Sequence, residues 1–505
     1  MRRFLLFLLT LGLAACAGPP LDPVVAGADP MARVAGSPPL LRAFLQEMPK
    51  GADLHSHLSG AAYAEGMIQA GADQGMCFQP ESGQVSGPPC GKGTRPLADA
   101  VDSADLTGKL VSAWSMRAFV PVSGYDGHDH FFASFQKFGG ASPAPVMARE
   151  VVNRAGAQRM RHIELMITFQ GAAVGKLAEA VHKRTRWNGD MAAFQAALIA
   201  GGLADIARQG AADAAKLTAD LRRSQRCGLP EAEPGCAVTV RWIQQVTRIN
   251  PPWRVFAQTL FAALLQRDSA EVAGLNFVAP EDHPVALRDY TLHMRMVEHV
   301  RRGFPDTRIA LHAGELRLGL VPPSELTFHI RQAVEIAQAR RIGHGVGVMY
   351  ETDAFGLLRE MARRRVAVEI NLTSNAQILG VEGADHPFPV YRAAGVPTVI
   401  STDDEGVERI DRTHELQRAV LEYRLSWADL VGLERNTLEY AFLPGESLWA
   451  DPDRWHMVEA CAGASPAADP PAACAGFLAG SEKARLQWGL ERDLAAFVRR
   501  APAPP

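Results

Sequence analysis

Seven short islands of residues able to bind metals or move protons are spread over about 350 residues of this chain. They are His55-Ser56-His57, His312-Ala313-Gly314-Glu315, Gly343-His344-Gly345 and Asp403-Asp404, with weaker pieces around Glu164, Gly274 and Ser374-Asn375. Each metal-type residue follows an apolar run rich in β-branched side chains, which reads as a short strand. Residues two apart on a strand face the same side, so His55 and His57 point together toward one end of a sheet. His312 and Asp403 complete a set of three nitrogens and one oxygen, which suits zinc and which iron or cobalt would also accept. Glu315 falls three residues beyond His312, where the strand turns into a loop. There it reaches a water or substrate beside the ion, the competing reading being an ion pair with Arg317. A bound divalent cation lowers the pKa of its water toward about 7, and an adjacent carboxyl relays the proton. His344, between two glycines, orients that water without ligating it, or else is a buried structural histidine. Asp403 alone could cap a helix, but the second acid, Asp404, exceeds what capping needs.

Side chains so far apart in sequence must be gathered by a sheet. Eight strand candidates follow one another: Gly51–Leu58, Arg161–Phe169, Ala237–Thr247, Val272–Val278, Arg308–Glu315, Arg341–Val348, Val366–Leu372 and Pro397–Thr402. Helical patterns separate most of them, as at Met191–Asp220, Pro252–Arg267, His283–Arg302, Ser324–Ala339 and Asp353–Arg365, with Pro38–Met48 entering the first strand. Strand alternating with helix predicts a parallel sheet, and eight units predict an α/β fold of the (β/α)8 TIM-barrel type. The interval after the first strand is too long for a simple crossover. With its aromatic stretch His130-Phe131-Phe132 through Phe135 and Phe138, it predicts an inserted helical lid over about 64–150. The chain from about 413 predicts extra C-terminal helices, and 501–505, rich in Pro and Ala, a disordered tail.

At 505 residues and 47% hydrophobic content the chain can build a large core, and a formal charge of -3 gives no reason to invoke nucleic acid. Met1-Arg2-Arg3 followed by Phe4 to Leu9 reads as a signal peptide over 1–15, too short to span a bilayer as a mature helix. It ends in Leu13-Ala14-Ala15-Cys16, similar to a bacterial lipobox, which implies cleavage before Cys16 and lipidation of that residue. Residues 16–36, rich in Pro, Ala and Gly, predict a flexible tether. The expectation is an exported, lipid-anchored envelope protein, in the periplasm or on the cell surface, with the lipid its sole membrane contact. The other six cysteines fall into sequence-local couples, Cys77 with Cys90, Cys227 with Cys236 and Cys461 with Cys474. Six cysteines permit about 15 pairings, and the local ones suit an oxidising compartment. None of the couples has the CxxC spacing of a zinc or thioredoxin site.

Met48-Pro49-Lys50-Gly51-Ala52-Asp53-Leu54-His55-Ser56-His57-Leu58-Ser59-Gly60 resembles the opening signature of the adenosine deaminase family. His312 to Glu315, Arg341 to Gly345 and Ser401 to Asp404 resemble its later signatures in the same order, and Asn436 to Leu443 its C-terminal helix motif. The export signal and long insertion are most similar to its secreted, growth-factor-like branch, which implies a homodimer. The resemblance implies one Zn2+ held by His55, His57, His312 and Asp403. It further implies Glu315 protonating purine N1 while activated water attacks C6, His344 assisting that water, and Asp404 bonding N7. Adenosine or deoxyadenosine would give inosine or deoxyinosine and ammonia. His57 and positions 59 and 279 would also touch substrate. Here Ser59 stands where the family usually has an aspartate that contacts ribose, Ala279 where a glycine is frequent, and Glu405 where proline commonly follows the aspartates. The alternatives are an amidohydrolase acting on a modified nucleoside or adenine, and a catalytically inactive nucleoside-binding barrel.

Overall fold

The computed structural model describes residues 24, 25 and 29–500. The signal peptide, Cys16 and the tail 501–505 lie outside these residues. Eight parallel strands form the centre: β1 (Lys50–His57), β2 (Met160–Ile167), β3 (Thr239–Thr247), β4 (Val272–Val278), β5 (Ala310–Ala313), β6 (Arg341–His344), β7 (Ala367–Ile370) and β8 (Thr398–Ile400). They lie in the orders β1-β2-β3-β4 and β8-β7-β6-β5. Single bridges join the two halves at both edges, Leu275 to Ile309 and Ser56 to Asp403. At the second edge His57 N–H donates to Asp403 O at 3.0 Å and Asp403 N–H to His55 O at 2.8 Å, so the ring closes beside three of the expected ligands.

The strands stop where their backbone leaves the β region. Expected strands that ran on to Glu315, Val348 and Thr402 end at Ala313, His344 and Ile400. Gly314 has φ +71° and Gly345 +61°, and left-handed backbone turns the chain out of the ladder there. The expected helix Met191–Asp220 is two helices, Met191–Ala200 and Leu203–Ser224, broken at Gly201-Gly202, where Gly202 has φ +98°. Ser324–Ala339 likewise shortens to His329–Glu335 after a 3-10 turn.

The segment between β1 and β2 carries the helices Ala64–Asp73, Ala104–Ala113, Gly127–Phe138 and Ala144–Ala157. It also carries a three-stranded antiparallel sheet of two-residue strands centred on Cys77–Phe78, which the purely helical expectation missed. Strands that short carry no periodicity to read. Disulfides join Cys77 to Cys90, Cys227 to Cys236 and Cys461 to Cys474, with Cα atoms 5.5, 5.3 and 4.6 Å apart. The described part of the expected tether is packed: Val24, Met31 and Val34 are buried, and Trp427 Nε1–H donates to Val24 O at 2.9 Å. Three apolar side chains in that Pro- and Gly-rich stretch suffice to dock it. At the base of β1 the helix Trp427–Tyr440 offers side chains to the strand's free amides. Gly51 N–H donates to Glu434 Oε2 at 2.8 Å, and Ala52 N–H to Thr437 Oγ1 at 2.7 Å.

Candidate metal centre and active site

The C-terminal ends of β1, β5, β6 and β8 bring His55, His57, His312, His344, Glu315, Asp403 and Asp404 into one buried cluster. His55 Nε2 lies 3.1 Å from His312 Nε2 and 3.4 Å from Asp403 Oδ1. His57 Nε2 lies 3.3 Å from each of the same two atoms. Four donors arranged tetrahedrally at about 2 Å from one zinc ion have edges of this length. Asp403 Oδ1 is buried and without a hydrogen-bond partner, an acceptor that a cation at the centre would satisfy. The donor set therefore fits a metal.

Each imidazole is aimed by a partner behind it. His55 Nδ1 meets Glu369 Oε2 at 2.6 Å, and Glu369 in turn is held by Arg341 Nε at 2.5 Å. Arg341 also donates to Glu164 Oε2 at 2.6 Å and lies 3.8 Å over the Phe442 ring. His312 Nδ1 meets Asn276 Oδ1 at 2.9 Å, while His57 Nδ1 is 3.1 Å from the side-chain amide of Gln245. Such outer partners fix ring orientation in metal sites. Gly343 leaves space for His55: a Cβ on it would sit 2.6 Å from His55 Cε1. Glu315 is delivered by Glu281, whose carboxylate accepts from Gly314 N–H at 3.1 Å and Glu315 N–H at 2.8 Å.

Electrostatics set the protonation of this cluster. Burial pushes His57 down to about 4, His344 to about 3 and His312 well below its ordinary value, keeping three rings neutral, as ligands must be. Burial also opposes charge on His55, but the neighbouring carboxylates of Asp403 and Glu369 outweigh it and raise the ring to about 10. A cation at the centre would take the place of the Nε2 proton there. Burial, then the charges of Asp403 and Glu281, hold Glu315 well above the usual carboxylate range. Asp404 is raised well above its ordinary value for the same reasons, burial first and Asp403 second.

A cavity of about 550 Å³ opens onto the cluster. His57, His312, Glu315, Asp403 and Asp404 form its floor; Phe131, Phe132 and Phe135 of the helix Gly127–Phe138 form its roof. Ser59 and Ala279 line it too, and Ala279 adopts φ +84°, a conformation that favours glycine. Among the described residues lining this cavity there is no lysine or arginine.

Asn276, Gln245, Glu281, Glu369, Asn371 and His386 were not singled out from the sequence. Asparagine, glutamine and glutamate are ordinary surface residues, and only acids inside otherwise apolar strands, such as Glu369, carried a readable signal. Larger wells and clefts lie elsewhere on the surface, one of about 780 Å³ at the opposite, N-terminal end of the barrel, away from the cluster.

A family model described as adenosine deaminase matches residues 206–449. The adenosine deaminase of Pseudoalteromonas translucida is 37% identical over 150 residues, 29% of this chain and 41% of that protein. That of Vibrio atlanticus is 31% identical over 140 residues, 28% of this chain and 39% of that protein. The chain thus spans about two fifths of the length of the curated relatives it matches. Among solved structures, the N6-methyl-AMP deaminase of Arabidopsis thaliana aligns with TM-score 0.51 at 19% identity, covering 80% of this chain and 94% of that one. An adenine deaminase of Arthrobacter aurescens aligns with TM-score 0.50 at 18% identity, covering 78% and 94%. At such identities the likeness speaks for the fold. Residues 206–449, which carry His312, Glu315, His344, Asp403 and Asp404, match the family model described as adenosine deaminase.

Proposed function

We propose that the protein is a zinc-dependent hydrolytic deaminase of adenosine-type purine nucleosides. The observation that carries this reading is the buried carboxyl of Glu315 in the same cavity as a four-donor metal cluster. A pure binder has no use for such an acid. When bound, the cation lowers the pKa of a coordinated water to about 7. The chain's residues do the rest. Glu315, whose hold on a proton is strengthened by burial and by the charge of Asp403, faces the cavity as the donor for a ring nitrogen, drawing electrons from the carbon that carries the amine. Asp404, raised by burial and by Asp403, donates a second hydrogen bond to the base. The two protons of the attacking water balance the step, one returning to Glu315 and the other passing to the amine, which departs as ammonia. The Phe131, Phe132 and Phe135 roof excludes solvent and stacks on an aromatic ligand.

A nucleoside or free base suits this cavity better than a nucleotide, because its described lining offers no cation for a phosphate. An ultraviolet assay against adenosine, deoxyadenosine, methylthioadenosine, adenine and AMP separates these substrates. Glu315→Gln is expected to keep its metal and lose turnover by at least about 100-fold; retained turnover removes Glu315 from the proton path. Stoichiometric metal with no turnover on any member of the panel leaves a binding protein instead. The proposed compartment is the bacterial envelope, supported by the Leu13-Ala14-Ala15-Cys16 sequence and three disulfides. Labelled fatty acid should enter the wild type and not Cys16→Ser.

A further inference from the structure

A backbone amide at the start of the helix Phe388–Ala393 begins a line of hydrogen bonds that ends in the active site. Phe388 N–H donates to His386 Nδ1 at 3.1 Å. A peptide nitrogen cannot accept, so Nδ1 of the neutral His386 ring is bare and its Nε2 carries the hydrogen. Nε2–H of His386 then donates to Asn375 Oδ1 at 2.9 Å. That contact turns the other end of the amide, Nδ2, toward His344 Nδ1 at 2.9 Å. An amide nitrogen has only hydrogens to give. His344 Nδ1 must therefore accept, and the hydrogen of that neutral ring belongs on Nε2. This is the nitrogen that faces the reaction centre, 3.7 Å from Glu315 Oε1 and 3.7 Å from Asp403 Oδ2.

The other amide beside the ring does not make the choice. Asn371 Nδ2 stands 3.4 and 3.5 Å from the two nitrogens of the His344 ring, astride it and at the edge of hydrogen-bond range. His344 and Asn375 are fully buried and His386 is 2% exposed, so bulk solvent is kept from the line. Burial, helped by Arg418, also holds His386 down at about 4, which keeps that ring neutral at physiological pH.

We propose that His386 is a positioning residue for the deamination: acting through Asn375, it locks His344 in the Nε2–H form, so that a donor faces the attacking oxygen. The proposal rests on the deaminase reading above. A donor at that point holds the oxygen by one lone pair, aims another at the carbon under attack and stabilises the negative charge that develops on the adduct. With the opposite tautomer, a bare nitrogen would face the same oxygen and repel that charge.

The test labels the histidine rings of the metal-loaded enzyme with nitrogen-15, which reports by NMR which nitrogen of each ring carries hydrogen. His344→Gln identifies the His344 signals by their loss. The wild type is expected to show His344 protonated at Nε2 alone. Asn375→Asp puts an accepting carboxylate where the amide donated, and should move the hydrogen to Nδ1 while kcat falls by about 100-fold with KM changed less than about threefold. His386→Leu frees the Asn375 amide to turn over, and should give mixed tautomers with kcat down about tenfold. His386→Gln, which keeps an N–H donor, should stay within about threefold of wild type. The proposal is overturned by a wild-type His344 protonated at Nδ1, or by His386→Leu with unchanged His344 signals. It is equally overturned if the kcat lost in His386→Leu follows a parallel loss of metal in elemental analysis. Should no variant or wild type deaminate any nucleoside, the reading above fails, and the ring signals still decide the tautomer.

Discussion

At the scale of single residues the site is defined as much by what is small as by what is reactive. Gly343 precedes His344 and faces His55, and any Cβ there meets the imidazole at 2.6 Å. Gly60 plays the same part for Asp404, whose Oδ1 lies 1.5 Å from where its Cβ would be. Gly343→Ala is expected to turn His55 away from Glu369, lowering metal content on elemental analysis and stability by about 1–3 kcal/mol. A fully metallated, equally stable variant would show that His55 tolerates displacement. Left-handed backbone at His344 and Asp403, with φ +65° and +56°, marks the same place; non-glycine residues held so are concentrated at functional sites. Glu405, which carried no reading from the sequence, pairs with Arg154 at 2.8 Å and accepts from Arg412 N–H at 3.1 Å.

At the scale of elements that pair matters, because it ties the turn after β8 to the helix Ala144–Ala157. Both side chains are largely buried, Glu405 at 3% and Arg154 at 14% side-chain exposure. Removing one partner of a buried pair leaves an uncompensated charge, so Arg154→Met is expected to cost about 3–5 kcal/mol in urea unfolding. Glu405 opens the short helix Glu405–Glu408, a position proline accepts. The double variant Arg154→Met, Glu405→Pro should therefore recover part of the loss, the rest belonging to the pair of Arg154 with Glu150. Additive losses would show that the two residues do not act as a pair. The roof helix Gly127–Phe138 has its own tie, His128 Nε2 to Asp282 Oδ1 at 3.0 Å, on the loop that follows β4. These contacts place the insertion over the cavity rather than beside it.

At the scale of the molecule, the closed ring forces polar groups inward, and their protonation governs how the protein meets acid. His293 is 1% exposed, has no hydrogen-bond partner on Nε2, and is held by burial at about 4. In the unfolded chain its pKa returns to about 6.5. Between these values the unfolded state binds more protons, so stability is complete above about 6.5 and falls as pH drops toward about 4. One such ring removes about 2 kcal/mol between pH 7 and 5. His293→Phe should shrink the difference in urea-unfolding free energy between those two pH values by about that amount. An unchanged difference would assign the acid sensitivity to other groups. The N-terminal residues contribute at this scale as well, since Val24, Met31 and Val34 extend the main core.

The sequence by itself picked out the residues that converge, His55, His57, His312, Glu315 and Asp403, and the order of the eight strands. Those depend on residue type and on short-range spacing: a histidine two places from another on a strand, a carboxylate after an apolar run. The strand alternation with helices was legible for the same reason, because periodicity is local. Where each strand ends was not, since the left-handed turns at Gly314 and Gly345 follow from what the residues must reach. Nor was the two-residue sheet around Cys77, or the aim of each imidazole. Asn276 behind His312, Glu369 behind His55 and His386 behind Asn375 come from elsewhere in the chain. Their chemical types are common, and only closure of the barrel, which sets the register of every strand at once, gave those ordinary side chains a partner and a role.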